Sequence, residues 1–337
     1  MKSKLKKAIY ISLLIIASVI IYFGYNSGMK REEQASFVIG TNPNLPTLTL
    51  YTSSAITTPQ LAFWAAVNRG EFSEHFNLIV RLYRSIDEIQ NLMLAGKGDI
   101  WIAHTGGFAM AFNRGAPVTV AVITAWKKFY IVTSDATYHS LEDLAGKTVA
   151  YSPPGSPGFS LFKNLVSADI PDIRLQAYHG RELQMLLLNG KVETAILPEP
   201  IVSMMLIKNS KLRIVGNMEE LYGKKYGLEP LLPLAGIGFN RLTAEKYPGI
   251  ANLIQDSVVR NSKDIQSDKK LAISNLPDSF RSEIPEDVAV MSLERDVILA
   301  RPAYEVYALI NDYLSITIPD YNKETSKISD KEFLWQN

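Results

Sequence analysis

The chain has 337 residues, 47% of them hydrophobic, which is enough for one large core or two medium ones and excludes a disordered chain. Lysine and arginine number 35 against 34 aspartates and glutamates, so no overall basic field points to a nucleic-acid partner. The absence of cysteine excludes disulfides, thiol catalysis and lipid attachment through an N-terminal cysteine, and leaves any metal only four histidines and carboxylates.

Lys2, Lys4, Lys6 and Lys7 precede the uncharged segment Ala8 to Tyr25, "AIYISLLIIASVIIYFGY". At ~1.5 Å per residue this segment makes roughly 27 Å of helix, just enough for a hydrocarbon core of about 30 Å. It reads as an uncleaved anchor or a cleaved export signal, with no small-x-small site near Gly24 or Ser27. Lysines ahead of it place the N-terminus in the cytoplasm and the body outside. Residues 29–46, polar with Gly and Pro, read as a tether after a signal or anchor segment at 1–28.

The next elements alternate strand and helix. "TLTLYTSS" (47–54) is a strand, and "AITTP" is a loop with Thr58 as expected N-cap and Pro59 at N1. Gln60 to Asn68 is a helix closed at Gly70, and "LIVRLYRS" (78–85) a second strand. Residues 88–112, "EIQNLMLAGKGDIWIAHTGGFAMAF", then align without a gap on residues 182–206, "ELQMLLLNGKVETAILPEPIVSMML". Each copy reads as a helix, a Gly-Lys turn, a buried strand and a loop into another helix, with Thr105 opposite Glu199. "VTVAVIT" (118–124) and "FYIVTS" (129–134) are further strands.

The second half repeats the plan: "KTVAYS" (147–152) is a strand, "PPGSPG" a loop, "FSLFKNLVSA" a helix and "IRLQAY" (173–178) a strand. Alternation of this kind predicts α/β lobes built on parallel sheets. Lobe 1 is expected at 47–125 and 239–337 and lobe 2 at 126–238. "PLAGIGFN" (233–240) would be the return crossing, and a helical stretch from Thr243 to Ile316 would pack on lobe 1. Two crossings make a hinge.

Ligands in open α/β sheets bind beyond the carboxyl ends of the strands, so two facing lobes define one cleft. Pro198 ends the strand Thr194 to Leu197, and Pro200 suits the first residue of the next helix, which sets Glu199 on the cleft rim as ligand contact or hinge brace. Ser53, Ser54, Thr57 and Thr58 line the first loop, His104 and Thr105 the third strand, and Gly155 and Ser156 the second lobe. Helix starts there offer unpaired N–H groups and suit an anion. Trp126, Tyr151, Phe159 and Tyr178 lie near crossings or loops where a ring can stack on ligand, and Arg114 and Lys128 can attract an anion.

"SLEDLAGKTVAYSPPGSPG" (140–158), together with "GKGDIWIAHTGGFAMAFNRGAPV" and "LNGKVETAILPEP", resembles signatures of extracytoplasmic substrate-binding proteins of ABC importers. The branch is that of nitrate, sulfonate, taurine and thiamine-precursor carriers. The resemblance runs from about 47 to 240. It implies a two-lobed, type II periplasmic-binding-protein fold with Ser53, Ser54, Thr58, His104, Thr105, Gly155, Ser156 and Glu199 at ligand-lining positions. Glu193 departs from the usual Asp, and the lipid-attachment cysteine is missing. The implied role is capture of a small, anionic organic solute for a permease and its ATPase, by a monomer without catalysis, cofactor, metal or nucleic acid. Lyases of menaquinone biosynthesis and thiamine-pyrimidine synthases share the fold and form the enzymatic alternative. A membrane-tethered sensor is the other. No Gly-x-Ser-x-Gly elbow, Walker loop, dinucleotide fingerprint or paired metal-ligand spacing supports an enzyme.

Overall fold

The computed structural model describes residues 36–53, 57–282, 284–318, 321 and 332–336. The apolar segment at 8–25 and Ser54 lie outside the described residues. Among the described residues, no helix is long and apolar enough to cross a membrane.

Seven strands, β1 (Ser36–Ile39), β2 (Thr47–Thr52), β3 (Asn77–Leu82), β4 (Ile100–His104), β5 (Val118–Ala125), β11 (Ala235–Asn240) and β12 (Arg301–Pro302), form one sheet. Its order is β1-β3-β2-β4-β11-β5-β12. A second sheet holds β6 (Phe129–Thr133), β7 (Thr148–Tyr151), β8 (Arg174–Ala177), β9 (Thr194–Pro198) and β10 (Arg213–Asn217) in the order β10-β6-β9-β7-β8. The inner strands β3-β2-β4-β11-β5 match β8-β7-β9-β6-β10 position for position. In each, three parallel strands are followed by two antiparallel steps. The sheets are therefore mixed rather than parallel throughout. β11 and β6 reach their sheets by crossing from the other lobe, without the helical crossover that a parallel neighbour needs.

The helices of the first sheet are α1 (Thr58–Asn68), α2 (Ile86–Leu94) and α3 (Thr105–Asn113). Those of the second are α4 (Pro157–Phe162), α5 (Gly180–Leu188), α6 (Ile201–Lys208) and α7 (Met218–Tyr226). The internal repeat is structural, since α2 and β4 recur as α5 and β9 at an offset of 94 in all four bounds. Both helices end alike. Lys97 N donates to Leu92 O and Lys191 N to Leu186 O, each at 2.9 Å, around Gly96 and Gly190 with φ of 62° and 65°. Only glycine takes that left-handed conformation without steric cost.

The family-like signatures prove to be structural clamps. Asp99 accepts from Thr49 N and Thr243 Oγ1, both at 2.7 Å, and so ties β4 to β2, whereas its repeat counterpart Glu193 is exposed. In "SLEDLAGK", Asp143 accepts from His139 N at 2.7 Å and Ser140 N at 2.8 Å, closing a capping box that sets the entry to β7.

Three expectations are corrected. Part of the expected tether, residues 36–39, is the edge strand β1, because Phe37 gains ring contacts with Trp64 and Phe280, at centroid distances of 6.1 and 6.2 Å. β11 lies wholly in the first sheet from Ala235, where Gly236 lets it approach β5: a Cβ there would stand 2.1 Å from Val122 O. The segment after it contains α8 (Arg241–Lys246), α9 (Pro248–Ile265), α10 (Lys269–Ser274), α11 (Asp278–Arg281), α12 (Glu286–Glu294) and α13 (Tyr307–Thr317). It is not helical throughout, since residues 296–300 leave the helix and β12 pairs with β5.

Nor does this tail pack on the first lobe alone. α9 covers α1, but α12 rests against α6 of the second lobe, and α13 touches both α4 and α3. One apolar cluster consequently runs through both lobes, joining Trp101 and Phe108 to Phe129, Phe162 and Tyr222 through Tyr313 and Leu314. Separate clusters lie between the first sheet and α1 and α9, and between the second sheet and α5 and α6.

Candidate ligand cleft

The loop after β2 is held at its base by buried Gln60. Its Oε1 accepts from Thr52 Oγ1 and Trp64 Nε1, each at 3.0 Å, while Nε2 donates to Ser53 O at 3.3 Å. Thr57, extended at φ −139° and ψ 150°, is the N-cap and Thr58 the first helical residue, so the helix starts one position earlier than expected. Thr58 is buried, with its hydroxyl donating to the Asp296 carboxylate rather than to its own helix.

At the tip of β4, His104 caps α3 without a side-chain cap bond. Burial, reinforced by the nearby Lys128 ammonium, pushes its imidazole down to about 4, so the ring is neutral at pH 7. His104 Nδ1 and Thr105 Oγ1 are buried and have no hydrogen-bond partner among the described residues. A buried polar atom left bare costs about 1–3 kcal/mol, so each of these two can take a water or another polar group as partner.

Glu199, the repeat counterpart of Thr105, is 2% exposed and accepts from three donors. Arg295 Nε reaches Oε1 at 2.8 Å, Ser203 N reaches Oε2 at 3.0 Å, and Ser203 Oγ lies 2.9 and 3.0 Å from the two oxygens. Arg295 also donates to Ser203 Oγ at 2.5 Å, and its carbonyl accepts from Tyr130 Oη at 2.9 Å. Glu199, Ser203 and Tyr130 belong to the second lobe and Arg295 to the segment after α12, so these bonds join the lobes. Pro200 takes the N-cap position and α6 starts at Ile201, which corrects the expected placing of Pro200 at N1; its ψ of 6° is not helical.

Lys128 stands on the crossing between β5 and β6. Its backbone N and that of Phe129 donate to buried Glu219 at 3.0 and 3.3 Å, and Asn217 Nδ2 donates to the same carboxylate at 2.7 Å. Burial pushes Glu219 up to about 7 and Asp296 up to about 6, and pulls the Lys128 ammonium down against the attraction of Asp296, Glu199 and Glu219. The Lys128 ammonium thus lies within the electrostatic reach of Asp296, Glu199, Glu219 and His104.

The other expected residues fall elsewhere. Trp126 is fully buried, its indole N–H donating to Leu299 O at 2.9 Å and its ring 5.3 Å from the Arg301 guanidinium. Ser156 caps α4 by accepting from Gly158 N at 3.1 Å, and Gly155 is exposed with φ 75°. Tyr151 stacks on Phe159 at 4.7 Å, and half-buried Tyr178 follows β8. Tyr151, Ser156 and Tyr178 make no hydrogen bond or ring contact with the Lys128 group among the described residues. Arg114 is an exposed C-cap.

Sequence reasoning missed Arg295, Asp296 and Glu219. The first two sit in a tail read as almost purely helical; the one available signal was the charge pair before the apolar run "VILA", where helical periodicity stops.

Residues 75–233 match the family model described as ABC transporter, phosphonate, periplasmic substrate-binding protein. No curated protein matches the chain. Among solved structures, an ABC transporter from Parabacteroides distasonis is 18% identical, with a TM-score of 0.69 over 87% of this chain and 99% of that one. The periplasmic aliphatic sulphonate binding protein SsuA from Escherichia coli is 14% identical, with a TM-score of 0.66 over 86% and 92% of the two chains. The periplasmic nitrate-binding protein NrtA from Synechocystis PCC 6803 is 12% identical, with a TM-score of 0.62 over 86% of each. At these identities the likeness establishes the fold, a two-lobed type II periplasmic-binding-protein fold, and over residues 75–233 the chain matches the model of an ABC-transporter substrate-binding protein.

Proposed function

We propose that the protein captures a small organic solute bearing an anionic group outside the cytoplasm, by closure of the two lobes, and delivers it to the permease of an ABC importer. The observation that carries this reading is at the tip of β4, where His104 Nδ1 and Thr105 Oγ1 are buried and have no hydrogen-bond partner among the described residues, at the position that the repeat matches to the tip of β9 and Glu199. Lys128 supplies the positive charge, and the loop after β2 supplies the hydroxyls of Ser53 and Thr57. Ligand contacts made to both lobes at once stabilise the closed form over the open one, because only a differential affinity can shift that equilibrium. The segment at 8–25 would keep the protein beside its permease.

A thermal-shift screen of the full chain tests the reading, using nitrate, alkyl and aryl sulfonates, phosphonates, taurine, pyrimidines and aromatic carboxylates. A ligand at 100 times its dissociation constant adds about 2.7 kcal/mol, a readily measured shift. Chemical conversion of a stabilising compound would overturn the transport reading, and silence across the whole set would remove solute binding.

A further inference from the structure

We infer that Arg295 is a latch between the lobes: it travels with the first lobe, docks on Glu199, Ser203 and Tyr130 of the second, and sets how far the protein stands open without solute. This rests on the closure reading and goes beyond it by naming the contact that parts. The chain around Arg295 is fixed to the first lobe. Ala289 and Leu293 of α12, with Ile298 and Ala300 beyond it, share an apolar cluster with Leu61 and Phe63 of α1. The Thr58 hydroxyl donates to Asp296, and Ala300 N donates to Ser262 Oγ of α9 at 3.0 Å. α12 also lies against α6, but Ile201, Val202, Met205 and Leu206 of α6 belong to an apolar cluster drawn wholly from the second lobe.

What holds α12 to the second lobe is polar. Arg295 donates from Nε to Glu199 Oε1 at 2.8 Å and from its guanidinium to Ser203 Oγ at 2.5 Å, while Tyr130 Oη donates to Arg295 O at 2.9 Å. Elsewhere the lobes share buried apolar surface through Tyr313 and Leu314, and exposing such surface costs about 25 cal/mol per Å². Rotation of the lobes therefore pivots on the side of α13 and the strand crossings and parts α12 from α6, where no apolar cluster is split. Glu199 keeps partners when Arg295 leaves, because Ser203 N at 3.0 Å and Ser203 Oγ at 2.9 and 3.0 Å belong to its own lobe. Arg295, with its side chain already 27% exposed, passes to water. A buried ion pair resists separation chiefly when one charge is left bare, and this one leaves none.

The chain has no cysteine, so one pair of spin labels can be placed without background. Glu74→Cys in the first lobe and Lys191→Cys in the second, both at exposed positions, are labelled in the full chain, and the distance between them is read by pulsed electron paramagnetic resonance with no solute added. Arg295→Met should raise the ratio of open to closed molecules roughly 5- to 30-fold, the factor that the loss of one or two hydrogen bonds gives a two-state equilibrium, seen as growth of a longer-distance population. Tyr130→Phe, which removes one bond and keeps the ring, should raise it by a smaller factor and carries the test if Arg295→Met fails to fold. Glu229→Gln, at the other charged contact between the lobes, 3.6 Å from Arg301 Nη1, should leave the distances unchanged. Distances unmoved in the folded latch variants, or moved as far by Glu229→Gln, overturn the latch. The thermal-shift screen of the parent chain is read separately. Stabilisation by a screened compound while the latch variants stay unmoved overturns the latch and supports solute capture, whereas silence across the screen while they open overturns solute capture and supports the latch.

Discussion

Arg295→Met tests the bond across the lobes. The substitution keeps the apolar stem but removes the 2.8 Å bond from Nε to Glu199 and the 2.5 Å bond to Ser203 Oγ. Glu199 is 2% exposed, so its charge cannot be taken up by bulk water. Removing one partner of a buried pair costs about 3–5 kcal/mol, mostly from the bare charge left behind. Two features of this site lower that figure: Ser203 still donates from N and Oγ, and the Arg295 side chain is 27% exposed. The expected loss is therefore about 2–3 kcal/mol in urea denaturation at pH 7. A double-mutant cycle with Glu199→Gln isolates the pair from the burial of Glu199, and a coupling of about 1–2 kcal/mol is expected. A loss below about 0.5 kcal/mol with no coupling would show that the lobes are not joined here in solution. The reasoning about closure would then fail with it.

Gly236→Ala should cost about 3 kcal/mol or more in thermal unfolding, because a Cβ 2.1 Å from a backbone carbonyl has nowhere to go. Ser156→Ala should lose about 1 kcal/mol as the cap of α4, and a neutral result would mean that its hydroxyl is free for ligand. Glu219, raised from 4.5 to about 7, holds its proton more tightly folded than unfolded. Wild-type stability relative to Glu219→Gln should accordingly be greatest below about pH 4.5 and decline as pH rises to about 7, and a pH-independent difference would count against burial as the cause. His104, lowered from 6.5 to about 4, works the other way. Its contribution relative to His104→Gln should be whole above pH 6.5 and disappear as pH falls through about 4, measured by the same titration of unfolding.

The internal repeat was legible because it is local. A helix of fixed length, a glycine-closed C-terminus and a four- or five-residue apolar strand leave the same trace wherever they occur, and both copies formed with the same bounds. The prolines around Glu199 likewise announced the end of β9 and delayed the start of α6 by two residues relative to α3. The antiparallel strands β11 and β6 were not legible as such. Apolar strands read alike in either direction, and the direction followed from which lobe the chain had just left. β1 was missed because a four-residue strand carries too little pattern to stand out from polar neighbours, and it forms only where β3 and the Trp64 ring await it.

The sequence by itself determined two α/β lobes on one repeated plan, the loops at the tips of their strands, and the place of Glu199 at the end of a strand in the second copy. These rest on interactions within a few residues. Tertiary structure alone decided what Glu199 meets. Arg295 comes from 96 residues away, and Asp296 from 238 residues beyond Thr58. A charge pair in a helical tail has no local signature of its destination. It becomes a site only when α12 packs on the opposite lobe and the chain turns back through the seam, where burial makes each unpaired charge costly and each pairing specific.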